Sequence, residues 1–145
     1  MRIYLAGPLF STAEREFNAH LAQLLRRGGH EVWLPQEHED RRRTAAEIFR
    51  DDVAGIDSVD VVVANMDGSD PDSGTCWECG YAYGTKKRVV LFRTDFRAGD
   101  AADKAPYNFM LTESATRHLL RPLADTASVA AAILDALESL PRTPP

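Results

Sequence analysis

Short β-type apolar runs alternate with longer segments whose apolar positions recur every three to four residues. Arg2 to Leu5 is the first run. Ser11-Thr12-Ala13-Glu14 then supplies a helix start, and Phe17, Leu21, Leu24 and Leu25 mark one apolar face behind it. Gly28-Gly29 ends that helix. Glu31 to Leu34 reads as a second strand stopped by Pro35, with a polar loop from Gln36 to Arg43 after it. A second capping box, Thr44-x-x-Glu47, opens a helix to about Ser58. Val59 to Ala64 (VDVVVA) is the branched run expected of a central parallel strand covered on both faces. A loop from Asn65 to Ser73, a helix from about Gly74 to Thr85 and a fourth strand from Arg88 to Phe92 follow. A long loop containing Gly99 and Pro106 reaches Tyr107 to Met110. A short fifth strand is expected near His118 to Leu120, and an amphipathic helix from Ser128 to Leu140. The Pro-rich end, 141–145, is expected to fray.

Strands alternating with helices at this spacing imply a parallel sheet, because parallel neighbours need crossover connections. The expected fold is therefore α/β: a single-domain Rossmann-like or flavodoxin-like three-layer sandwich, residues 1–140, with a parallel sheet of four to five strands. A length of 145 residues at 44% hydrophobic content fits one domain with a real core. The formal net charge of −5 supplies no basic field for a phosphate backbone, so neither nucleic acid nor an anionic membrane is an expected partner. Arg41-Arg42-Arg43 is short, follows Glu37 and Glu39, and reads as a solvated loop. The first apolar run is too short for a signal peptide or a membrane span, which makes a cytoplasmic protein the expectation.

In sheets of this kind ligands bind beyond the carboxyl ends of the strands. Here those ends lead into Gly7-Pro8-Leu9-Phe10, the 36–43 loop, the 65–73 loop and the loop leaving Phe92. The stretch DSGTCWECGYA, Asp72 to Ala82, lies at one of them. Its single C-x-x-C lacks the further ligands that a structural zinc needs, and Glu78 disfavours a thiolate, so Cys76 and Cys79 read as packing residues. Glu78 has two readings. With Thr75 it completes a T-x-x-E capping box; equally, a carboxylate in a first helical turn at the ligand edge is kept ionised and suits an anionic nucleophile. Asp52 falls within the apolar stripe Ala45, Ile48, Phe49, Val53 and Ile56, while Asp51 is expected to point elsewhere. Such an aspartate is either hydrogen-bonded structurally or functional. Asp67 and Asp70 read as a solvated acidic turn without metal-loop spacing. Asp72, beside Gly74, is better placed to hydrogen-bond a polyhydroxylated ligand. Carboxylates around one cleft suit chemistry at an acetal carbon.

At this point the chain resembles the nucleoside 2-deoxyribosyltransferase family. Ile3 to Phe10 with Ala13-Glu14 is similar to the family's opening strand and loop. Asp52-x-x-x-Ile56-x-x-x-Asp60 resembles its entry into the central strand, and Asp72-x-Gly74-Thr75-x-x-Glu78-x-Gly80-Tyr81-Ala82 its signature. Phe92-Arg93-x-Asp95-Phe96-Arg97 and Asn108-Phe109-Met110 resemble the later loop. The resemblance implies that Glu78 attacks the anomeric carbon of a 2′-deoxynucleoside, that Tyr4 orients Glu78, and that Asp52 gives a proton to the departing base. It implies Asp72, Gly7, Phe10, Gly74, Asn108 and Met110 as substrate contacts, with Trp77 a further candidate for stacking on the base. It also implies 2′-deoxyribonucleosides and free nucleobases as substrates, no metal or cofactor, and a homodimer or larger homo-oligomer in which Asn108 reaches a neighbouring active site. Cys79 and Tyr83 stand where smaller or aliphatic residues are common in the family. A related branch hydrolysing deoxynucleoside 5′-monophosphates has a polar first loop, where Pro8-Leu9-Phe10 is apolar. An N-glycosidase, or a non-catalytic nucleoside-binding module, is the alternative on the same architecture.

Overall fold

The computed structural model describes residues 1–40, 42–97 and 106–141. Its elements run β1 (Arg2–Ala6), α1 (Thr12–Arg27), β2 (Glu31–Trp33), α2 (Pro35–His38), α3 (Ala45–Ser58), β3 (Val61–Asn65), α4 (Ser73–Gly84), β4 (Arg88–Arg93), α5 (Phe109–Ser114), β5 (Arg117–Leu120) and α6 (Thr126–Glu138). One five-stranded sheet has the order β2-β1-β3-β4-β5, and every neighbouring pair is parallel. This is the flavodoxin-like order, whose switch point lies between β1 and β3 and opens a crevice at their carboxyl ends.

Alternation along the strands builds two cores. Ile3, Leu5, Val61, Val63, Val90 and Phe92 pack against α1 and α6 through Leu21, Leu25, Val129, Ile133 and Leu137. Tyr4, Ala6, Val62, Ala64, Val89 and Leu91 face the opposite layer with Ile56, Cys79, Ala82 and Leu111. β3 is buried at all its positions, as its uninterrupted apolar run requires. Both expected capping boxes form, Ser11 with Glu14 and Thr44 with Glu47. Gly28 caps α1, and Gly29 turns the chain with φ +87°, a conformation that favours glycine.

The differences are local. The expected polar loop after β2 contains α2, because Pro35 at its first turn has φ already set for a helix. The expected loop before β5 contains α5, started by the Asn108 side chain accepting the Met110 amide at 2.9 Å. The apolar stripe of α3 reaches the core only at its end: Gly55 and Ile56 are buried, whereas Ala45 and Phe49 are exposed. Its earlier turns border a cleft rather than the sheet. Arg41, Gly99 and residues 142–145 of the expected frayed end lie outside the described residues. Among the described residues no helix is long and apolar enough to cross a membrane.

Candidate active site

Tyr4 is fully buried in the middle of β1, yet its hydroxyl emerges at the crevice and donates to Glu78 Oε1 at 2.6 Å. Strand alternation sends Tyr4 to the α4 side, and α4 presents Glu78 one turn beyond its start. Glu78 lines a cleft of about 200 Å³ together with Gly7 and Phe10 from the loop after β1, Asp52 from α3, and Asp72 and Gly74 at the head of α4. Seven of the residues expected at the site, Tyr4 included, therefore converge.

The head of α4 differs from the predicted capping box. Asp72 is the cap: its Oδ2 accepts the Thr75 amide at 2.8 Å and the Thr75 hydroxyl at 3.1 Å, so the helix starts at Ser73. Glu78 consequently lies in the second turn, past the free amides, and the expectation that the helix start keeps it ionised does not hold. Burial instead pushes its carboxyl up to about 7; the Tyr4 hydrogen bond pulls down, and the charges of Asp52 and Asp72 push up. The Tyr4 phenol is raised in turn, first by burial and then by Glu78, which keeps its hydroxyl a donor. Asp52 is also raised, by burial first, then by Asp51 and Glu39, with His38 and Arg43 opposing.

Two groups read as solvent-facing belong to the cleft wall. Asp51 was expected to point away and Arg43 to sit in a solvated run; both line the cleft, joined at 2.7 Å. His38 and Glu39 line it too. His38 stacks on Trp33 with ring centroids 3.8 Å apart. Trp33 can lie there because residue 55 is glycine: a Cβ at Gly55 would stand 2.6 Å from the indole. Such a pairing between β2 and α3 has no signature in sequence spacing. A neighbouring acidic position also differs from its expectation. Asp67 is not solvated but tethers the loop after β3 to the loop after β4, accepting from the Thr94 hydroxyl at 2.6 Å and the Asp95 amide at 2.9 Å.

Other candidates lie elsewhere. Trp77 is not in the cleft; it packs against Phe49 at 5.2 Å and Tyr81 at 5.3 Å on the outer surface of α3 and α4. Phe10 stands at the cleft rim, 78% exposed. Asn108 and Met110 line a separate groove of about 760 Å³ beside α4 and α5, so within one chain they do not meet Glu78. Cys79 is buried and Cys76 half-buried, both free, and burial raises both thiols. Among the described residues no cluster of three or more His, Cys, Asp or Glu is arranged to hold a metal.

The architecture recurs among solved structures. A conserved protein from Enterococcus faecalis V583 is 25% identical, with a TM-score of 0.74, covering 94% of this chain and 98% of its own. A 2-deoxyribosyltransferase from Bacillus psychrosaccharolyticus is 28% identical, with a TM-score of 0.69 over 92% and 96% of the two chains. A CMP N-glycosidase from Clostridium botulinum shares the fold at 17% identity, with a TM-score of 0.67 over 92% and 98%. No curated protein sequence matches the chain. The family model described as nucleoside 2-deoxyribosyltransferase matches residues 3–111, which carry β1 through β4 and every residue of the cleft, and the chain belongs to that family.

Proposed function

We propose that the protein exchanges the base of a 2′-deoxyribonucleoside through a deoxyribosyl ester on Glu78. The observation that carries this reading is the 2.6 Å hydrogen bond from the buried Tyr4 to Glu78 Oε1. It fixes the carboxylate and leaves Oε2 without a hydrogen bond among the described residues. Oε2 attacks the anomeric carbon, the C–N glycosidic bond breaks, and its electron pair leaves with the base. Asp52, whose carboxyl is raised by burial, holds the proton that the departing base nitrogen takes. A second base then attacks the same carbon, the C–O bond to Glu78 breaks, and Asp52 recovers the proton from the incoming base. Two inversions give net retention. Asp72, which lines the cleft, binds a sugar hydroxyl, with Gly7, Phe10 and Gly74 around it. Asn108 and Met110 act across a contact with a second copy, since they do not reach their own cleft.

A free nucleoside fits better than its 5′-phosphate. Helix starts at the ligand edge of a sheet are natural phosphate sites. The starts of α1 and α4 are filled from within: Glu14 takes the amides of Phe10 and Ser11 at 2.9 and 2.7 Å, and Asp72 takes that of Thr75. A phosphate would have to displace a carboxylate at either one.

Incubation with 2′-deoxyinosine, with and without adenine, followed by chromatography, tests the proposal. Adenine-dependent 2′-deoxyadenosine, lost in Glu78→Ala, is the expected result. Free hypoxanthine formed equally with and without adenine makes the protein an N-glycosidase. No turnover with any base, alongside ligand binding that survives Glu78→Ala, makes it a binding module.

A further inference from the structure

The cleft carries five carboxylates, those of Glu39, Asp51, Asp52, Asp72 and Glu78. Four are fixed. Glu39 accepts from Arg15 at 2.7 Å, Asp51 is ion-paired with Arg43 at 2.7 Å, Asp72 accepts from Thr75, and Glu78 from Tyr4. Asp52 takes no hydrogen bond from the described residues, although it borders the same cavity. The charged and titratable groups around it are Asp51 on its own helix, His38 and Glu39 at the end of α2, Arg43 before α3, Asp72 and Glu78 at α4, and Tyr4 on β1. Of these only Arg43 carries a permanent positive charge. It is held from several sides: besides Asp51, its Nη2 donates to the Glu47 carbonyl and its Nη1 to the His38 carbonyl, each at 3.3 Å. A planar guanidinium gripped in this way is a fixed charge rather than a mobile one.

We infer that Arg43 is a positioning residue: by holding the Asp51 carboxylate it limits the negative field on Asp52, and so sets the pH range over which Asp52 can pass a proton to the departing base. The inference rests on the reading of Asp52 as proton donor. The two neighbours act in opposite senses, Asp51 raising the Asp52 carboxyl and Arg43 lowering it. Removing one should therefore partly offset the effect of removing the other, which a simple loss of local structure would not do.

The test is a ¹³C NMR titration of the Asp52 carboxyl, assigned by its loss in Asp52→Asn. Arg43→Gln should move the midpoint up and Asp51→Asn should move it down, the latter by the larger amount because Asp51 is the stronger influence. Arg43→Lys should stay close to the native value, and the double variant Arg43→Gln/Asp51→Asn should lie between the two single variants. The alkaline limb of kcat/KM for base exchange should shift in the same order. An Asp52 midpoint that is the same in all variants, or that moves the same way in Arg43→Gln and Asp51→Asn, overturns the inference. If Arg43→Gln does not fold, Asp51→Asn and Arg43→Lys decide it. The titration needs no turnover, so the two claims separate. Opposite shifts together with an alkaline limb that survives in Asp52→Asn support Arg43's control of Asp52 and overturn Asp52 as donor.

Discussion

Against α1 and α6 the sheet presents Ile3, Leu5, Val61, Val63, Val90 and Phe92 to a layer of aliphatic side chains. Against α3, α4 and α5 the same strands present Tyr4, and beyond it Glu78 and Asp52 at an open cleft. A single residue step along β1 separates the two environments. On the first face the packed cluster is apolar and the gain is stability; on the second, carboxyl groups are kept part-buried and raised, which costs stability and suits chemistry. Substitutions on the two faces should therefore separate folding from activity.

The largest separation is expected at Glu78. Glu78→Ala should lower base exchange at least about 10³-fold, as for a group acting directly on the reacting carbon, with far-UV circular dichroism unchanged. Ile133→Ala on the opposite face should do the reverse. It empties a fully buried site, costs about 2–5 kcal/mol in urea unfolding, and leaves exchange per folded molecule intact. Equal losses of activity and stability in either variant would erase the distinction between the faces.

Tyr4→Phe sharpens it, because the residue is core by burial and site by its hydroxyl. Loss of a hydrogen bond to a charged group should slow exchange on the order of tenfold to a hundredfold. Since that bond pulls the Glu78 carboxyl down, the acid limb of kcat/KM should move to higher pH. In the native protein that limb should lie near the Glu78 value of about 7 and belong to the coupled carboxylates rather than to one group.

A further effect concerns stability and pH. Folding raises the Glu78 carboxyl from its ordinary 4.5 to about 7, so the folded protein binds the proton more tightly than the unfolded chain. The stabilisation is fully present below 4.5 and is lost as pH rises through 7. Glu78→Gln keeps an acceptor for Tyr4 and removes the charge. At pH 8 it should gain up to about 3 kcal/mol, several degrees in Tm, and at pH 4 close to nothing. A Tm difference independent of pH would mean that burial does not set the Glu78 carboxyl.

Periodicity alone made most of the fold legible. VDVVVA reads as a strand covered on both sides, which forms two residues later than read, from Val61, and the boxes at Ser11 and Thr44 mark helix starts that form as read. The misread places have two causes, a local competition between acceptors and contacts distant in sequence. At the head of α4 two acceptors compete for the Thr75 amide, and Asp72 wins over the local box. The place of His38 in the cleft wall depends on Trp33 seated on Gly55, a contact between β2 and α3 that leaves no periodic trace. Asp67 looks solvated until the loop after β4 arrives over it. Glu78 and Asp52 were legible as carboxylates at the ligand edge, whereas the burial that raises them was not.

The most direct measurement is intact-mass spectrometry of the protein mixed with 2′-deoxyinosine in the absence of an acceptor base, followed by peptide mapping. The account predicts a mass increase of one deoxyribosyl group on the peptide carrying Glu78, discharged on adding adenine with formation of 2′-deoxyadenosine, and absent in Glu78→Ala. Base exchange that persists in Glu78→Ala, or an adduct mapped to another residue, would contradict it.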